Sequence, residues 1–97
     1  MIIAAVLATV YLCGADFTIC NATDQQYYPC PLYQNNQYYV FWTDARAYPL
    51  YALYGARINN TGTVLDPNGK FLFQDSVMGP RAAYDGTNFL VVWREGC

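Results

Sequence analysis

Two stretches decide how this chain folds: residues 29–44, PCPLYQNNQYYVFWTD, and residues 80–95, PRAAYDGTNFLVVWRE. They align without a gap at an offset of 51 residues, with Pro, Tyr, Val and Trp identical at four of the sixteen positions. Tyr38 and Phe89 also keep an aromatic ring at the same place. Self-similarity at a fixed period of this length is typical of proteins built from repeated structural units.

Each copy of the repeat predicts a β-hairpin. Residues 85–88 (DGTN) and the pair Asn35-Asn36 supply turn chemistry, because Gly and Asn accept the positive φ of a tight turn. Each turn is followed by an unbroken apolar run of five residues, 38–42 and 89–93. An apolar strand without alternation indicates cover on both faces, so we expect sheets stacked between like sheets, as in β-propeller blades.

The segment between the two copies completes a four-stranded unit. The expected strands are 53–58, 63–65 and 70–73, separated by the turn-rich segments 59–62 and 66–69. No stretch shows helical periodicity with capping residues. The sequence therefore predicts an all-β fold of antiparallel four-stranded units, about two β-propeller-like blades in one repeat domain. Its expected parts are a partial unit at 1–28, a complete unit at 29–79 and a partial unit at 80–97.

A weaker match extends the repeat towards the amino terminus. Thr9-Val10 matches Thr63-Val64, and Phe17 matches Phe71, at an offset of 54 residues. The three-residue difference falls in a loop, where insertions are tolerated. Residues 1–12 are almost wholly apolar but too few for a membrane-spanning helix. A signal segment and an ordinary strand are both open readings of them.

Three stretches carry a resemblance to a known type of repeat: residues 53–58 (LYGARI), 62–69 (GTVLDPNG) and 83–93 (AYDGTNFLVVW). They resemble tandem repeats of roughly fifty residues in large secreted bacterial proteins, which read approximately IYGARV, DGTVLDPNG and AYDGTNYLVVW. The likeness covers about Phe17 to Glu95. It implies β-propeller architecture and an extracellular or cell-surface location, and it implies no catalytic residues.

The cysteines also bear on the compartment. The chain has four, Cys13, Cys20, Cys30 and Cys97, with no CxxC pair and no His, which disfavours a zinc site. Three disulfide pairings are open. Two N-x-T sequons, at 21–23 and 59–61, lie in polar turn-like stretches. Together these features favour an oxidising, extracellular location with disulfides.

Charge excludes one class of partner. The net charge is −2, and the five basic residues are scattered singly along the chain: Arg46, Arg57, Lys70, Arg81 and Arg94. Binding to nucleic acid requires a clustered basic face, so we expect no nucleic-acid partner. An anionic membrane surface is disfavoured for the same reason, and no membrane span is expected.

Catalytic chemistry is not indicated, and no cofactor or metal is expected. The absence of His rules out Ser/His/Asp and Cys/His arrangements. Asp44 and Glu95, at equivalent repeat positions, leave a two-carboxylate glycoside hydrolase formally open. Asp66-Pro67-Asn68-Gly69 is read as a turn rather than a calcium loop, because it lacks further spaced ligands.

Binding is the better prediction. Residues 43–52 and 74–79 are expected to form loops on one face of the array. The candidate binding residues are Asp44, Arg46, Tyr48 and Tyr51, since Tyr offers an apolar ring with a polar tip. The alternative is that these tyrosines pack between blades. We expect a non-catalytic extracellular interaction or scaffold module that binds itself or like repeat units, with a closed ring of several copies as one outcome. A carbohydrate-binding propeller fragment, with a glycan or cell-surface protein as partner, and a truncated product without its own function are the alternatives.

Overall fold

The computed structural model describes residues 3–8 and 13–95, with side chains described from residue 17 to residue 95. These residues form eight strands and no helix: β1 (Ile3–Ala8), β2 (Cys13–Cys20), β3 (Gln26–Gln34), β4 (Gln37–Ala47), β5 (Leu50–Asn59), β6 (Lys70–Gln74), β7 (Val77–Tyr84) and β8 (Phe89–Glu95). All pairings between them are antiparallel. The strands make a two-stranded sheet β1-β2, a four-stranded sheet β3-β4-β5-β6 and a two-stranded sheet β7-β8. The predicted all-β class is confirmed.

Two hairpins are closed by the predicted turn residues. Asn35 and Asn36 join β3 to β4 with φ of 54° and 63°. Two positive φ values in a two-residue loop match the twist of the flanking strands. Between β7 and β8, the Asp85 carboxylate accepts hydrogen bonds from the backbone N–H groups of Thr87 and Asn88, both at 2.8 Å. Local side-chain chemistry therefore sets both hairpin turns.

The β7–β8 hairpin repeats the backbone pairing of β3–β4, 51 residues further along. Tyr33 lies opposite Tyr38, and Tyr84 lies opposite Phe89. The ring centroids of each pair are 4.7 Å apart. Both hairpins also carry a bulge and a positive φ at the residue before the repeated proline. The two copies of the sequence repeat therefore pair their strands in the same register.

The outer edge of β5 differs from the prediction. Its first half pairs with β6, which contains the expected edge strand 70–73. Residues 63–65 pair back on its second half by one bridge, Ile58 opposite Val64, and are not a strand. The reason is Asp66, whose carboxylate accepts hydrogen bonds from the backbone N–H and the guanidinium of Arg57. The Asp66 side chain therefore takes up the Arg57 N–H, which would donate to the neighbouring strand if the pairing continued past residue 64.

Hydrophobic residues pack on both faces of the four-stranded sheet. The first core lies between the sheet and β2: Ile19, Cys20, Val40, Trp42, Ala56 and Ile58, flanked by Phe17, Ala22, Tyr54 and Val64. The second core lies between the opposite face and the β7–β8 hairpin: Phe41, Leu53 and Val77, flanked by Tyr39, Ala82, Phe89, Val91 and Trp93. The four-stranded sheet therefore lies between a strand pair before it and a strand pair after it.

The central strand β4 shows this two-sided cover directly. Every residue from Val40 to Ala45 is buried. Val40 and Trp42 belong to the first core, and Phe41, which points to the other side, belongs to the second. The predicted cover on both faces is confirmed for Val40, Phe41 and Trp42, whereas Tyr38, at the start of the predicted run, is exposed.

The same prediction is wrong for residues 89–93. In β8, Phe89, Val91 and Trp93 pack on the four-stranded sheet, but Leu90 and Val92 are exposed. The reason is that the described residues place a sheet on only one side of this hairpin. Residues 89–93 are all apolar, but only every second side chain packs on the four-stranded sheet.

The structure shows whether two of the four cysteines form disulfides. Cys20 and Cys30 are free thiols, so the predicted disulfides do not form at these two residues. Cys20 is fully buried, with its Sγ 3.6 Å from the Asn68 carbonyl oxygen. The side chains of Cys13 and Cys97 lie outside the described residues, as does the match at Thr9-Val10. Residues 3–8 form a strand, which is one of the two open readings of the apolar segment.

Candidate functional site

The predicted loop 43–52 is mostly strand. β4 continues to Ala47 and β5 starts at Leu50, so only Tyr48 and Pro49 connect them. Asp44 and Arg46 therefore lie on β4 itself, and Tyr51 lies on β5. The four candidate residues are brought to one end of the four-stranded sheet, but they do not share one environment.

Asp44 is buried and fully engaged within the chain. Its Oδ2 accepts hydrogen bonds from Trp42 Nε1 and Arg46 Nη2, both at 2.8 Å. Its Oδ1 accepts from the backbone N–H of Arg46 at 2.9 Å and from Arg46 Nε at 2.8 Å. Burial raises the pKa of Asp44, but the hydrogen bonds from Arg46 and Trp42 outweigh it and hold the pKa below its ordinary value. The carboxylate is ionised and its oxygens already have donors.

Arg46 extends this contact to two other segments. Its Nη2 donates to the carbonyl oxygen of Asn68 at 2.6 Å, and its guanidinium lies 3.8 Å over the Tyr54 ring. The hydrogen bond to Asp44 raises the pKa of Arg46 further. We call Trp42, Asp44, Arg46 and Asn68 the Asp44 junction.

The Asp44 junction connects β2 to the four-stranded sheet. The backbone N–H of Asn68 donates to the Ile19 carbonyl oxygen at 3.0 Å, and Asn68 Oδ1 accepts from the Asn21 N–H at 2.8 Å. The turn that presents Asn68 also needs Gly69, whose φ is +82°. A Cβ built at Gly69 would lie 2.4 Å from Trp42 Cζ2. These contacts favour a structural role for the two charged candidates.

The turn at 66–69 is also committed to internal contacts. The Gly69 N–H donates to the Asp66 carbonyl oxygen at 2.9 Å, which closes the turn. The Asp66 carboxylate forms a two-pronged ion pair with Arg57, at 2.8 and 3.0 Å. The hydrogen bond from Arg57 lowers the pKa of Asp66. Among the described residues, no three His, Cys, Asp or Glu side chains cluster as metal ligands would.

Tyr48 and Tyr51 are the accessible candidates. Their rings meet edge to face with centroids 6.1 Å apart, and Tyr48 is strongly exposed. Tyr48 also borders an open cleft with Asp24, Gln25, Tyr27 and Ala45. This pair offers an aromatic surface of the kind that contacts sugar rings or peptide side chains.

No protein-family model, curated protein or solved structure matches the chain. None of the described residues forms a helix long and apolar enough to cross a membrane.

Two further surfaces were missed by the sequence reasoning. Leu90 and Val92 are exposed on β8, and Tyr33 and Tyr38 are exposed on the β3–β4 hairpin. The signal was present in the sequence, because a five-residue apolar strand at 89–93 demands cover on both faces. Only the structure shows that one face of this strand has none within the described residues.

Proposed function

We propose that this chain is a non-catalytic extracellular interaction module of a β-propeller-like repeat array, whose partners are itself or like repeat units. The observation that carries this proposal is the stacking of the complete unit between two strand pairs, with a core on each face. In this proposal, each face of the four-stranded sheet binds a strand pair that belongs to a neighbouring copy of the repeat. The extracellular location is supported by the two sequons and by the resemblance of three stretches to secreted repeats.

The side chains favour interaction over catalysis. The carboxylate of Asp44, one of the two candidate acids, is buried and hydrogen-bonded to Trp42 and Arg46. A general acid or a nucleophile must reach its substrate, and this group faces the protein interior. Glu95, its repeat equivalent, is exposed on β8. The two carboxylates therefore lie in unequal environments, one buried and one exposed.

Carbohydrate binding is the second candidate, and one observation favours it. The exposed Tyr48 ring borders an open cleft at one end of the sheet, and Tyr51 packs edge to face against this ring. Screening the chain against a glycan array tests this function. We expect any specific hit to be lost in the Tyr48→Ala variant, and an array without hits removes the candidate.

Self-association is tested by sedimentation of the 97-residue chain from about 1 µM to about 100 µM. The proposal expects a mass that rises above the 11.0 kDa of one chain as the concentration increases. A constant mass of one chain across this range would contradict self-association. The same samples should show a β-type circular dichroism spectrum, which separates a folded monomer from a misfolded aggregate.

A further inference from the structure

The side of β7–β8 that faces away from the four-stranded sheet carries exposed apolar side chains, bordered by the exposed Arg81 opposite Val92. Leu90 and Val92 are 65% and 54% exposed, and Ala83 lies directly opposite Leu90 in the register. We call Ala83, Leu90 and Val92 the outer apolar face. Exposed apolar side chains that adjoin one another on a sheet are typical of an interaction site.

The repeat shows what covers the equivalent face one unit earlier. Tyr39 and Phe41 occupy in β4 the positions that Leu90 and Val92 occupy in β8. Both rings lie against Phe89 of the following hairpin. The Phe89 ring centroid is 4.4 Å from that of Tyr39 and 5.9 Å from that of Phe41. The covering residue is therefore the aromatic residue that starts the second strand of the next hairpin. Its equivalent in the complete unit is Tyr38.

Tyr38 is available on the surface of this chain. Tyr38 and its cross-strand neighbour Tyr33 are 36% and 48% exposed. We call these two residues the tyrosine patch. Along β4, Tyr38 shares the face of Val40 and Trp42, which β2 covers, but the patch lies outside that core. The patch is thus an uncovered continuation of a face that already binds part of the repeat.

We infer that the outer apolar face of one copy docks on the tyrosine patch of a second copy, head to tail. In this interface Leu90 and Val92 contact Tyr38 of the second copy, as Tyr39 and Phe41 contact Phe89 within the chain. The inference rests on the proposed function and names the surface and partner. It continues the interface between the four-stranded sheet and the β7–β8 hairpin that the chain already contains.

The free edge of β8 identifies the strand of the second copy that arrives beside it. β4 is hydrogen-bonded on both edges, to β3 and β5, whereas β8 is bonded only to β7 among the described strands. β1 is the counterpart of β5, because Ala5 opposes Phe17 as Tyr54 opposes Phe71. Among the described strands, β1 in turn is hydrogen-bonded only to β2. The second copy's β1–β2 therefore completes a four-stranded sheet with β7–β8.

This interface is not self-complementary. Each copy presents the outer apolar face at one place and the tyrosine patch at another. A head-to-tail contact of this kind uses both surfaces on every interior copy, so assembly continues beyond two copies into a ring or a filament.

The test uses two double variants of the full chain. Leu90→Asp with Val92→Asp disables the outer apolar face, and Tyr33→Asp with Tyr38→Asp disables the tyrosine patch. Burying unpaired carboxylates is strongly unfavourable, so each variant alone should associate at least about 100-fold more weakly than the wild type. Mixed together, they should form one-to-one complexes, because each still carries the intact surface that the other lacks.

The matched control is Leu50→Asp, which changes a residue that is 53% exposed and belongs to neither surface. It should assemble like the wild type, and circular dichroism should show all variants folded. If the wild type assembles and either double variant assembles equally well, the inference is wrong and the proposed function stands. If each variant is monomeric but the mixture stays monomeric, the head-to-tail geometry is wrong. A monomeric wild type overturns both.

Discussion

The β3–β4 and β7–β8 hairpins have the same register, the same bulge and the same cross-strand aromatic pair, yet they differ in burial. In β4 every residue from Val40 to Ala45 is buried, whereas in β8 Leu90 and Val92 are exposed. The difference arises from the neighbours of each hairpin, because the described residues cover β3–β4 on both faces and β7–β8 on one. Equivalent substitutions in the two hairpins should therefore have unequal effects.

The largest difference is expected at the two tryptophans. Trp42 is fully buried and donates to Asp44, while Trp93, its repeat equivalent, is only partly buried. Trp42→Ala should lower the free energy of unfolding by about 3–5 kcal/mol, and Trp93→Ala by about 1–2 kcal/mol. Urea unfolding of both variants at one protein concentration measures this. Equal losses would remove the distinction between the two hairpins.

Two glycines give the next comparison. Gly69 has φ +82° and faces the Trp42 ring, and Gly86 has φ +105° with open space around it. Gly69→Ala combines backbone strain with overpacking and should cost about 2–4 kcal/mol. Gly86→Ala carries backbone strain alone and should cost about 1–2 kcal/mol. Thermal unfolding of the two variants decides whether contact with Trp42 adds to the strain.

The two acidic repeat positions should differ as well. Asp44→Asn removes a charge that accepts hydrogen bonds from Trp42 and Arg46, and should cost about 2 kcal/mol. Glu95→Gln changes an exposed side chain and should stay within about 0.5 kcal/mol of the wild type. Denaturant midpoints of the two variants measure the contrast. A loss at Glu95 as large as that at Asp44 would mean that β8 is as enclosed as β4.

The smallest effect concerns pH. The pKa values of Asp44 and Asp66 are lower in the folded chain than their ordinary value of 3.8. Their contribution to stability is therefore complete above the ordinary value and is lost as the pH falls through the folded values. Asp44→Asn should lose less stability than the wild type between about pH 5 and about pH 2. A parallel decline of the two proteins would show that ionisation of Asp44 does not stabilise the fold.

Much of the fold could be predicted because the deciding information is local. The turn residues Asn35-Asn36 and Asp85-Gly86 fix two hairpins, and the apolar runs beside them fix the strands that need cover. The strand expected at 63–65 fails because Asp66 binds Arg57, a contact between residues nine positions apart. Strand propensity carries no information about that competing hydrogen bond.

The candidate site was harder to predict because burial depends on distant segments. Asp44 is paired with Arg46, whose guanidinium contacts Cys20 of β2 and the turn residue Asn68. One local signal was available: Trp42, Asp44 and Arg46 alternate along one strand and share a face. In the later copy the position equivalent to Arg46 is Cys97, so this charged contact has no counterpart there.

The claim that β8 is covered by a second copy is tested most directly by amide hydrogen exchange at low and high protein concentration. The account predicts that exchange in Phe89–Glu95 slows as the concentration rises, because the free edge and outer face of β8 become covered. The buried segment of β4 should be protected equally at both concentrations. An assembled protein in which exchange along β8 is independent of concentration would contradict the account.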